Sequence, residues 1–393
     1  MFTILPIKGY IDQIDGFYCD GIHAGLKSNS KLDLGFIYSD KPCTVGAIFT
    51  ENRFQAAPLK HFLQYEENFK TNFVLINSKN ANALTGRKGI ENINTLFSKL
   101  DFDLLNPIMS STGVIGNPLP IEKIVTGANF FDLTLKNGEN LSKAIMTTDA
   151  YPKSCMYEVK LEDGTSFKIG AVAKGAGMIN PNLATMLCFI CTDAAVPFED
   201  IKEALKINSE TTFNAISVDG DTSTNDTVMV LANGNSKAYD KEAFTEVLRV
   251  VMFDMAMLMV ADGEGAKKVA AFEVINAVSN EQAMIAAKAL SNSLLVKTAL
   301  FGEDPNFGRI ASTIGASRID CDDEKLVISY NDVVVFNKGE ICFDADTEAR
   351  AGDVLKKDKY KIICDIGLGE GKFTAYGCDL GYKYVEINAD YRS

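Results

Sequence analysis

Histidine and tryptophan are nearly missing: the 393 residues include two histidines, His23 and His61, and no tryptophan. A transferase or hydrolase that needs an imidazole base therefore has few candidates. His61 lies in Lys60-His61-Phe62, read as a surface or helix-flank position, and His23 lies in an early glycine-bearing turn, so both read as structural. Long apolar runs are also lacking. The most apolar helical stretch, residues 247–261, is interrupted by Arg249 and Asp254 and falls short of the roughly 20 residues that a bilayer span needs. Residues 1–10 lack a basic region, an apolar run and a small-residue cleavage site, so no signal peptide is expected. Positive charge is in deficit, with 39 Lys and Arg against 52 Asp and Glu and a net charge of −13. Nucleic acid and anionic membranes repel such a chain, and a small-molecule partner is expected instead. Nine cysteines form an odd, scattered set, which argues for reduced thiols. A cytoplasmic setting is expected.

The length suits two or three structural units or one large α/β body, and 47% hydrophobic residues with 30 glycines lie within globular norms. Short β-branched apolar runs bounded by polar turns predict strands at residues 44–50, 73–76, 187–191, 228–231, 333–336 and 361–364. Amphipathic spacing predicts helices after Pro197 (Phe198, Ile201, Leu205), after Asp240 (Phe244, Val247, Leu248, Val251) and after Asn280 (Met284, Ile285, Ala289). Pro197 suits a first helical turn, and Asp240 and Asn280 suit N-caps. Strands and helices mix without a strict βαβ rhythm, which favours a layered α/β (α+β) fold. No repeat, Pro/Ser-rich linker or low-complexity segment is found. Residues 164–181 and 217–227 look least like helix or strand, and such loops between strong strands are where sites usually sit.

The densest signal is Ala173-Lys174-Gly175-Ala176-Gly177-Met178-Ile179-Asn180-Pro181-Asn182-Leu183-Ala184-Thr185-Met186-Leu187. A small-residue loop with one lysine and two asparagines runs into a threonine, and an apolar run begins behind it. That arrangement would set the Thr185 hydroxyl at the mouth of a buried strand. A neutral hydroxyl needs a base to attack a carbonyl. With histidine scarce, the available base is the residue's own α-amino group, whose pKa of roughly 7.7–8.0 suits proton transfer near neutrality. That group is free only if the chain is cut before Thr185, by attack of its hydroxyl on the Ala184 carbonyl, an N-to-O acyl shift and ester hydrolysis. From spacing alone, a glycine loop capped by an ordinary strand threonine is the simpler reading.

The segment Lys-Gly-Ala-Gly-Met-Ile-Asn-Pro-Asn-Leu-Ala-Thr-Met-Leu resembles the autoproteolysis segment of the ornithine acetyltransferase family, the bifunctional glutamate N-acetyltransferases and amino-acid acetyltransferases of arginine biosynthesis. Further segments resemble the family in order: Phe49-Thr50-Glu51-Asn52-Arg53-Phe54-Gln55-Ala56-Ala57-Pro58, Asn77-Ser78-Lys79-Asn80-Ala81-Asn82-Ala83, Ser111-Thr112-Gly113-Val114-Ile115-Gly116, Met146-Thr147-Thr148-Asp149, Asp262-Gly263-Glu264-Gly265-Ala266, Gly302-Glu303-Asp304-Pro305-Asn306 and Ile387-Asn388-Ala389-Asp390-Tyr391. Nearly the whole chain is covered. Departures are Lys79 where the family usually has glycine, Phe307 where it has tryptophan, and the pair Lys267-Lys268.

The resemblance implies an N-terminal-nucleophile-like acetyltransferase fold with mixed sheets sandwiched by helices. It implies cleavage between Ala184 and Thr185, giving an α chain of residues 1–184 and a β chain of residues 185–393 in a heterotetramer of two α and two β chains. Thr185 matches the nucleophile, Thr112 and Gly113 the oxyanion-hole pair, and Thr148, Lys174, Thr185, Glu264, Asn388 and Ser393 the substrate-binding positions. A backbone N–H and a hydroxyl converging on a developing oxyanion suit that role, as a lysine suits an α-carboxylate and a glutamate an ammonium. The implied reaction moves acetyl from N2-acetyl-L-ornithine to L-glutamate through acetyl-Thr185. No bound cofactor is implied. Family members divide on whether acetyl-CoA is also a donor, and no residue here decides it.

Other motifs carry less. Cys188-Phe189-Ile190-Cys191 mimics a redox or metal pair, but on a strand the two thiols point to opposite faces. Gly367-Leu368-Gly369-Glu370-Gly371 lacks dinucleotide-loop spacing and reads as a turn before the last strand. Asp219-Gly220-Asp221-Thr222-Ser223-Thr224-Asn225 begins like a calcium loop, but Thr224 replaces the glycine and Val230 the bidentate glutamate. That loop is expected to line a pocket or form a capped turn, and no metal set is expected. Alternatives to the transferase are a related N-terminal-nucleophile hydrolase or aminopeptidase, an uncleaved small-molecule-binding protein, and a kinase-like anion binder.

Overall fold

The computed structural model describes residues 1–28, 30–180 and 186–390. Among the described residues the chain forms sixteen strands: β1 (Phe2–Ile7), β2 (Phe17–Ile22), β3 (Leu34–Phe49), β4 (Lys70–Asn77), β5 (Ile108–Ser111), β6 (Lys153–Leu161), β7 (Ser166–Lys174), β8 (Leu187–Thr192), β9 (Ile216–Ser217), β10 (Thr227–Ala232), β11 (Val269–Ala277), β12 (Val327–Tyr330), β13 (Val333–Asn337), β14 (Glu340–Ile341), β15 (Lys359–Asp365) and β16 (Gly371–Cys378). Nine of them form one mixed sheet in the order β1-β6-β7-β8-β10-β3-β4-β5, with β2 on β3, and the other seven form a second in the order β14-β13-β12-β15-β11-β16-β9. Mixed sheets with covering helices are the layered α/β arrangement expected. All six predicted strands form; the first ends at Phe49 rather than Thr50.

Eleven α-helices accompany the strands among the described residues: α1 (Ala57–Phe62), α2 (Gly86–Ser98), α3 (Ile121–Ala128), α4 (Gly138–Ala144), α5 (Phe198–Thr211), α6 (Lys241–Ala261), α7 (Asn280–Asn292), α8 (Leu294–Phe301), α9 (Phe307–Ala316), α10 (Ala345–Leu355) and α11 (Tyr382–Asp390). Asp240 caps α6, its carboxylate accepting from Ala243 N at 2.8 Å, as the sequence predicts. Two boundary expectations are corrected. Ser279, not Asn280, caps α7, because its hydroxyl accepts from Gln282 N while Asn280 is already helical. Pro197 stands at the extended N-cap of α5 rather than in its first turn.

The central strands explain where the site forms. β8 is buried along its whole length between antiparallel β7 and parallel β10. On one face, Cys188 and Ile190 join Val228 and Val230 under Val247, Val251 and Met255 of α6. On the other, Phe189 and Cys191 pack with Met229, Leu231 and Ile37. Each such side chain contributes about 1.5–3 kcal/mol, so the strand ends beside the site are firmly anchored. The two cysteines do face opposite ways and are free thiols, their pKa raised by burial. Within α6, Arg249 pairs with Glu246 at 2.7 Å and Asp254 accepts from the Tyr157 hydroxyl, which settles the two charges that break its apolar run. Among the described residues no single helix is long and apolar enough to cross a membrane.

One further expectation fails, and another holds in one of its two forms. Residues 164–181 are not a loop throughout, since β7 occupies Ser166–Lys174. Its small residues fit because β6 crowds it: a Cβ on Gly170 would fall 2.1 Å from Met156 Sδ. Of the two places expected for His61, it takes the helix end and not the surface: it is 5% exposed in the last turn of α1, with Nε2 3.2 Å from Asn94 Oδ1 and its ring against Tyr65 and Phe97. Burial lowers its pKa. His23 meets Lys31 O at 2.8 Å through Nδ1 and serves the turn before β3.

Candidate active site

The ends of β5, β7, β8 and β10 converge on one cavity beside the nine-stranded sheet. It is lined by Thr112, Gly113, Thr147, Thr148, Lys174, Gly177, Met186, Asp219, Asp226, Glu264, Tyr384 and Asn388, among others. Of the residues proposed from the sequence, the structure brings together Thr112, Gly113, Thr148, Lys174, Glu264 and Asn388. Ala184, Thr185 and Ser393 lie outside the described residues. Met186, the residue after Thr185, lines the cavity, and its carbonyl accepts from Thr227 N at 2.7 Å.

Thr112 follows β5, and its N–H is spent on Asn77 O at 3.0 Å. Its hydroxyl accepts from Lys174 Nζ at 3.4 Å, and the Gly113 N–H has no acceptor among the described residues. Gly113 has φ +130, and a Cβ there would lie 2.3 Å from the Lys79 carbonyl carbon, so only glycine fits without strain. Lys79 itself sits at φ +73, the left-handed region that favours glycine, and the turn forms nonetheless. A hydroxyl and an uncommitted N–H side by side are the donors that stabilise a developing oxyanion.

Lys174 ends β7 and Glu264 follows α6; both are nearly buried, at 9% and 8% exposure. The Glu264 N–H donates to Ala176 O at 3.0 Å, and its carboxylate accepts from Asn388 Nδ2 at 2.5 Å. Gly177 makes room for it, since a Cβ there would lie 2.4 Å from Glu264 Cδ. Opposite, the Asp219 carboxylate accepts from Met178 N at 2.6 Å, Ile179 N at 2.9 Å and the Tyr384 hydroxyl at 3.2 Å. The loop from Asp219 to Asn225 is thus both pocket wall and capped turn. Tyr384 and Asn388 stand one turn apart on α11, which buries none of its residues and bridges the two walls. Among the described residues no His, Cys, Asp and Glu cluster could hold a metal ion.

Behind the cavity sits an ionic support. Lys153, fully buried, reaches Asp149 at 2.7 Å and Asp262 at 2.6 Å, and Asp149 also accepts from Gly175 N at 2.7 Å. Burial pushes both carboxyls up, but Lys153 and Lys174 win at Asp149 and bring it down to about 2. Asp262 stays raised, burial outweighing Lys153.

The model of the ArgJ family matches residues 18–393. Full-length relatives are each named "Arginine biosynthesis bifunctional protein ArgJ": that of Wolinella succinogenes is 56% identical and covers 100% of both chains. That of Oceanobacillus iheyensis is 41% identical over 98% of this chain and 97% of its own. The chain belongs to the ArgJ family.

Two solved ArgJ-family structures resemble parts of the chain. The Bacillus halodurans bifunctional ArgJ is 38% identical, with TM-score 0.48, over 51% of this chain and 96% of its own. The Mycobacterium tuberculosis ornithine acetyltransferase complexed with ornithine is 30% identical, with TM-score 0.40, over 46% of this chain and 100% of its own.

In this ArgJ-family cavity, sequence reasoning missed two groups. Tyr384 carried no signal beyond its place ahead of Asn388. Asp226 is 3% exposed, and its Oδ2 has no hydrogen-bond partner among the described residues. Burial drives its carboxyl far above the carboxylate range against the pull of Ser223 and Lys174. Because β10 pairs with β8 from Thr227 and Leu187 onward, Asp226 stands level with Met186. Its place directly after the polar loop and before a fully apolar strand was the available clue.

Proposed function

We propose that this ArgJ-family chain is a self-cleaving acetyltransferase of arginine biosynthesis that moves acetyl from N2-acetyl-L-ornithine to L-glutamate through an ester on Thr185. The observation that carries the reading is the convergence of Thr112, Gly113, Lys174, Glu264 and Asn388 on a cavity that Met186, next after Thr185, also lines. Cleavage between Ala184 and Thr185 would leave residues 1–184 and 185–393 as separate chains and free the Thr185 α-amine.

In the first half-reaction that amine takes the proton from the Thr185 hydroxyl as the oxygen attacks the acetyl carbonyl. The Thr112 hydroxyl and Gly113 N–H take up the oxyanion's charge. The carbonyl–nitrogen bond then breaks, and the proton passes to the departing ornithine amine. In the second half, the neutral amine of glutamate attacks the ester, and its proton returns to the Thr185 oxygen through the α-amine. Lys174 suits the substrate α-carboxylate, while Glu264 suits an ammonium, with Asn388 and Thr148 orienting the ligand and Ser393 closing the site from the C-terminus.

Acetyl-CoA serves as a second donor in this reading, with no cofactor retained. The enzyme works on small amino-acid substrates in the cytoplasm as a heterotetramer of two α and two β chains. Initial rates with acetylornithine and glutamate varied together test the proposal: parallel double-reciprocal lines, and no turnover by Thr185→Ala, are expected. Acetate release that is indifferent to glutamate would favour a hydrolase instead.

A further inference from the structure

Among the described residues, the titratable side chains that line the acyl cavity are Lys174, Asp219, Asp221, Asp226, Glu264 and Tyr384. Most are engaged. Lys174 donates to Thr112, Asn388 donates to Glu264, and Tyr384 donates to Asp219, which also accepts two backbone N–H groups. Asp221 is exposed. Asp226 is both buried and open to a further bond: Ser223 and Thr50 reach its carboxyl, but Oδ2 has no hydrogen-bond partner among the described residues. Raised by burial, that carboxyl holds its proton at pH values where an ordinary one has lost it.

Strand register sets Asp226 beside the bond proposed to be cut. Thr227 N donates to Met186 O at 2.7 Å, and the parallel ladder runs on from Thr227 and Leu187. Asp226 is therefore level with Met186, the residue to which Thr185 is covalently joined. The neighbouring Asn225 is already spent, its Nδ2 donating to Ala81 O at 2.6 Å and Ser111 O at 2.8 Å while its Oδ1 accepts from the Thr224 hydroxyl at 2.7 Å.

Cutting the chain before Thr185 needs an acid. The group that departs from the Ala184 carbonyl is an amide nitrogen, too basic to leave as an anion, so a proton must meet it. The α-amine that serves the finished enzyme as base does not exist before the cut, and among the described residues neither histidine lines the cavity. We propose that Asp226 is the acid of self-cleavage, giving its proton through Oδ2 to the Thr185 nitrogen. The inference deepens the acyl-enzyme reading above and rests on it. In this step the bond from the Thr185 hydroxyl oxygen to the Ala184 carbonyl carbon forms as the carbon–nitrogen bond breaks. The electron pair left on nitrogen takes the Asp226 proton, and the hydroxyl proton passes to the Asp226 carboxylate and restores it. Water then hydrolyses the ester, leaving a carboxyl on Ala184 and a free amine and hydroxyl on Thr185.

The test follows the uncut 393-residue chain by intact mass after synthesis of the wild type, Asp226→Asn and Asp226→Ala, with a melting curve for each. Asp226→Asn is expected to slow cleavage by about 10²-fold or more while folding, as its melting curve shows. In Asp226→Ala, formate or acetate should restore part of the cleavage, because either acid is small enough for a cavity of about 170 Å³. Thr185→Ala should stay uncut whether or not the acids are added. Cleavage of Asp226→Asn at the wild-type rate, or a folded Asp226→Ala that neither acid helps, would overturn the role of Asp226 while a cut wild type leaves the acyl-enzyme reading standing. A wild-type chain that is never cut would bring down both.

Discussion

The Lys174 ammonium donates to the Thr112 hydroxyl across 3.4 Å, between two side chains of which each is at most 9% exposed. A cation so placed polarises the hydroxyl toward whatever oxygen sits beyond it and strengthens its donation. Thr112→Ala should therefore cut kcat by about 10²–10³ while leaving the thermal midpoint nearly unchanged, as loss of one oxyanion donor does elsewhere. Steady-state rates with acetylornithine and glutamate, alongside a melting curve, check both halves.

Gly113→Ala should do more harm. The new Cβ meets the Lys79 carbonyl carbon at 2.3 Å in a backbone held at φ +130, and strain of that kind costs about 1–3 kcal/mol. Both the melting temperature and the rate are expected to fall, and a variant as stable and active as the wild type would contradict the placement of this turn.

Asn388→Ala removes the amide that fixes the Glu264 carboxylate at 2.5 Å. If the pair orients substrate rather than the transition state, KM rises several-fold, by about 1 kcal/mol of binding, and kcat changes less. Measuring both constants for each amino-acid substrate separates the two.

Acid stability follows from Asp149. Its carboxyl, near 2 when folded, lies below its unfolded value of about 3.9. It therefore contributes stability that is fully present above about pH 4 and is lost as pH falls through 2, about 2 kcal/mol in all. Asp149→Asn should flatten that part of the unfolding profile and, by leaving the buried Lys153 with Asp262 as its one carboxylate partner, lower stability at neutral pH as well.

Asp226 has the opposite sign. A carboxyl raised by burial favours the fold below the ordinary carboxylate range and disfavours it as pH rises through the raised value. Asp226→Asn should melt higher than wild type at pH 7–8 (roughly the operating range of an α-amine base) and yet turn over more slowly. Equal activity would mean that the unpaired oxygen serves no part of the reaction.

Much of the architecture around the site was legible because strong local signals agreed with tertiary demand. β8 and β10 are continuous apolar runs buried on both faces, and Asp240 caps a helix with ten buried residues. β7 was not legible, because packing against Met156 requires glycine at Gly170, where strand propensity asks for a branched side chain. His61 looked exposed since its neighbour Lys60 is, although one helical position turns it into the aromatic cluster with Tyr65 and Phe97. The residues that gather Lys174, Glu264 and Asn388 came from long motifs, not from periodicity. Asp226 and Tyr384 act through contacts between segments far apart in the chain, which no local pattern encodes.

Intact mass combined with N-terminal sequencing of the purified protein tests the central claim most directly. Two fragments are expected, the second beginning at Thr185, with Thr185→Ala remaining one inactive chain. A single uncut chain that transfers acetyl at full rate would contradict the account, because no free α-amine would then be present to act as the base.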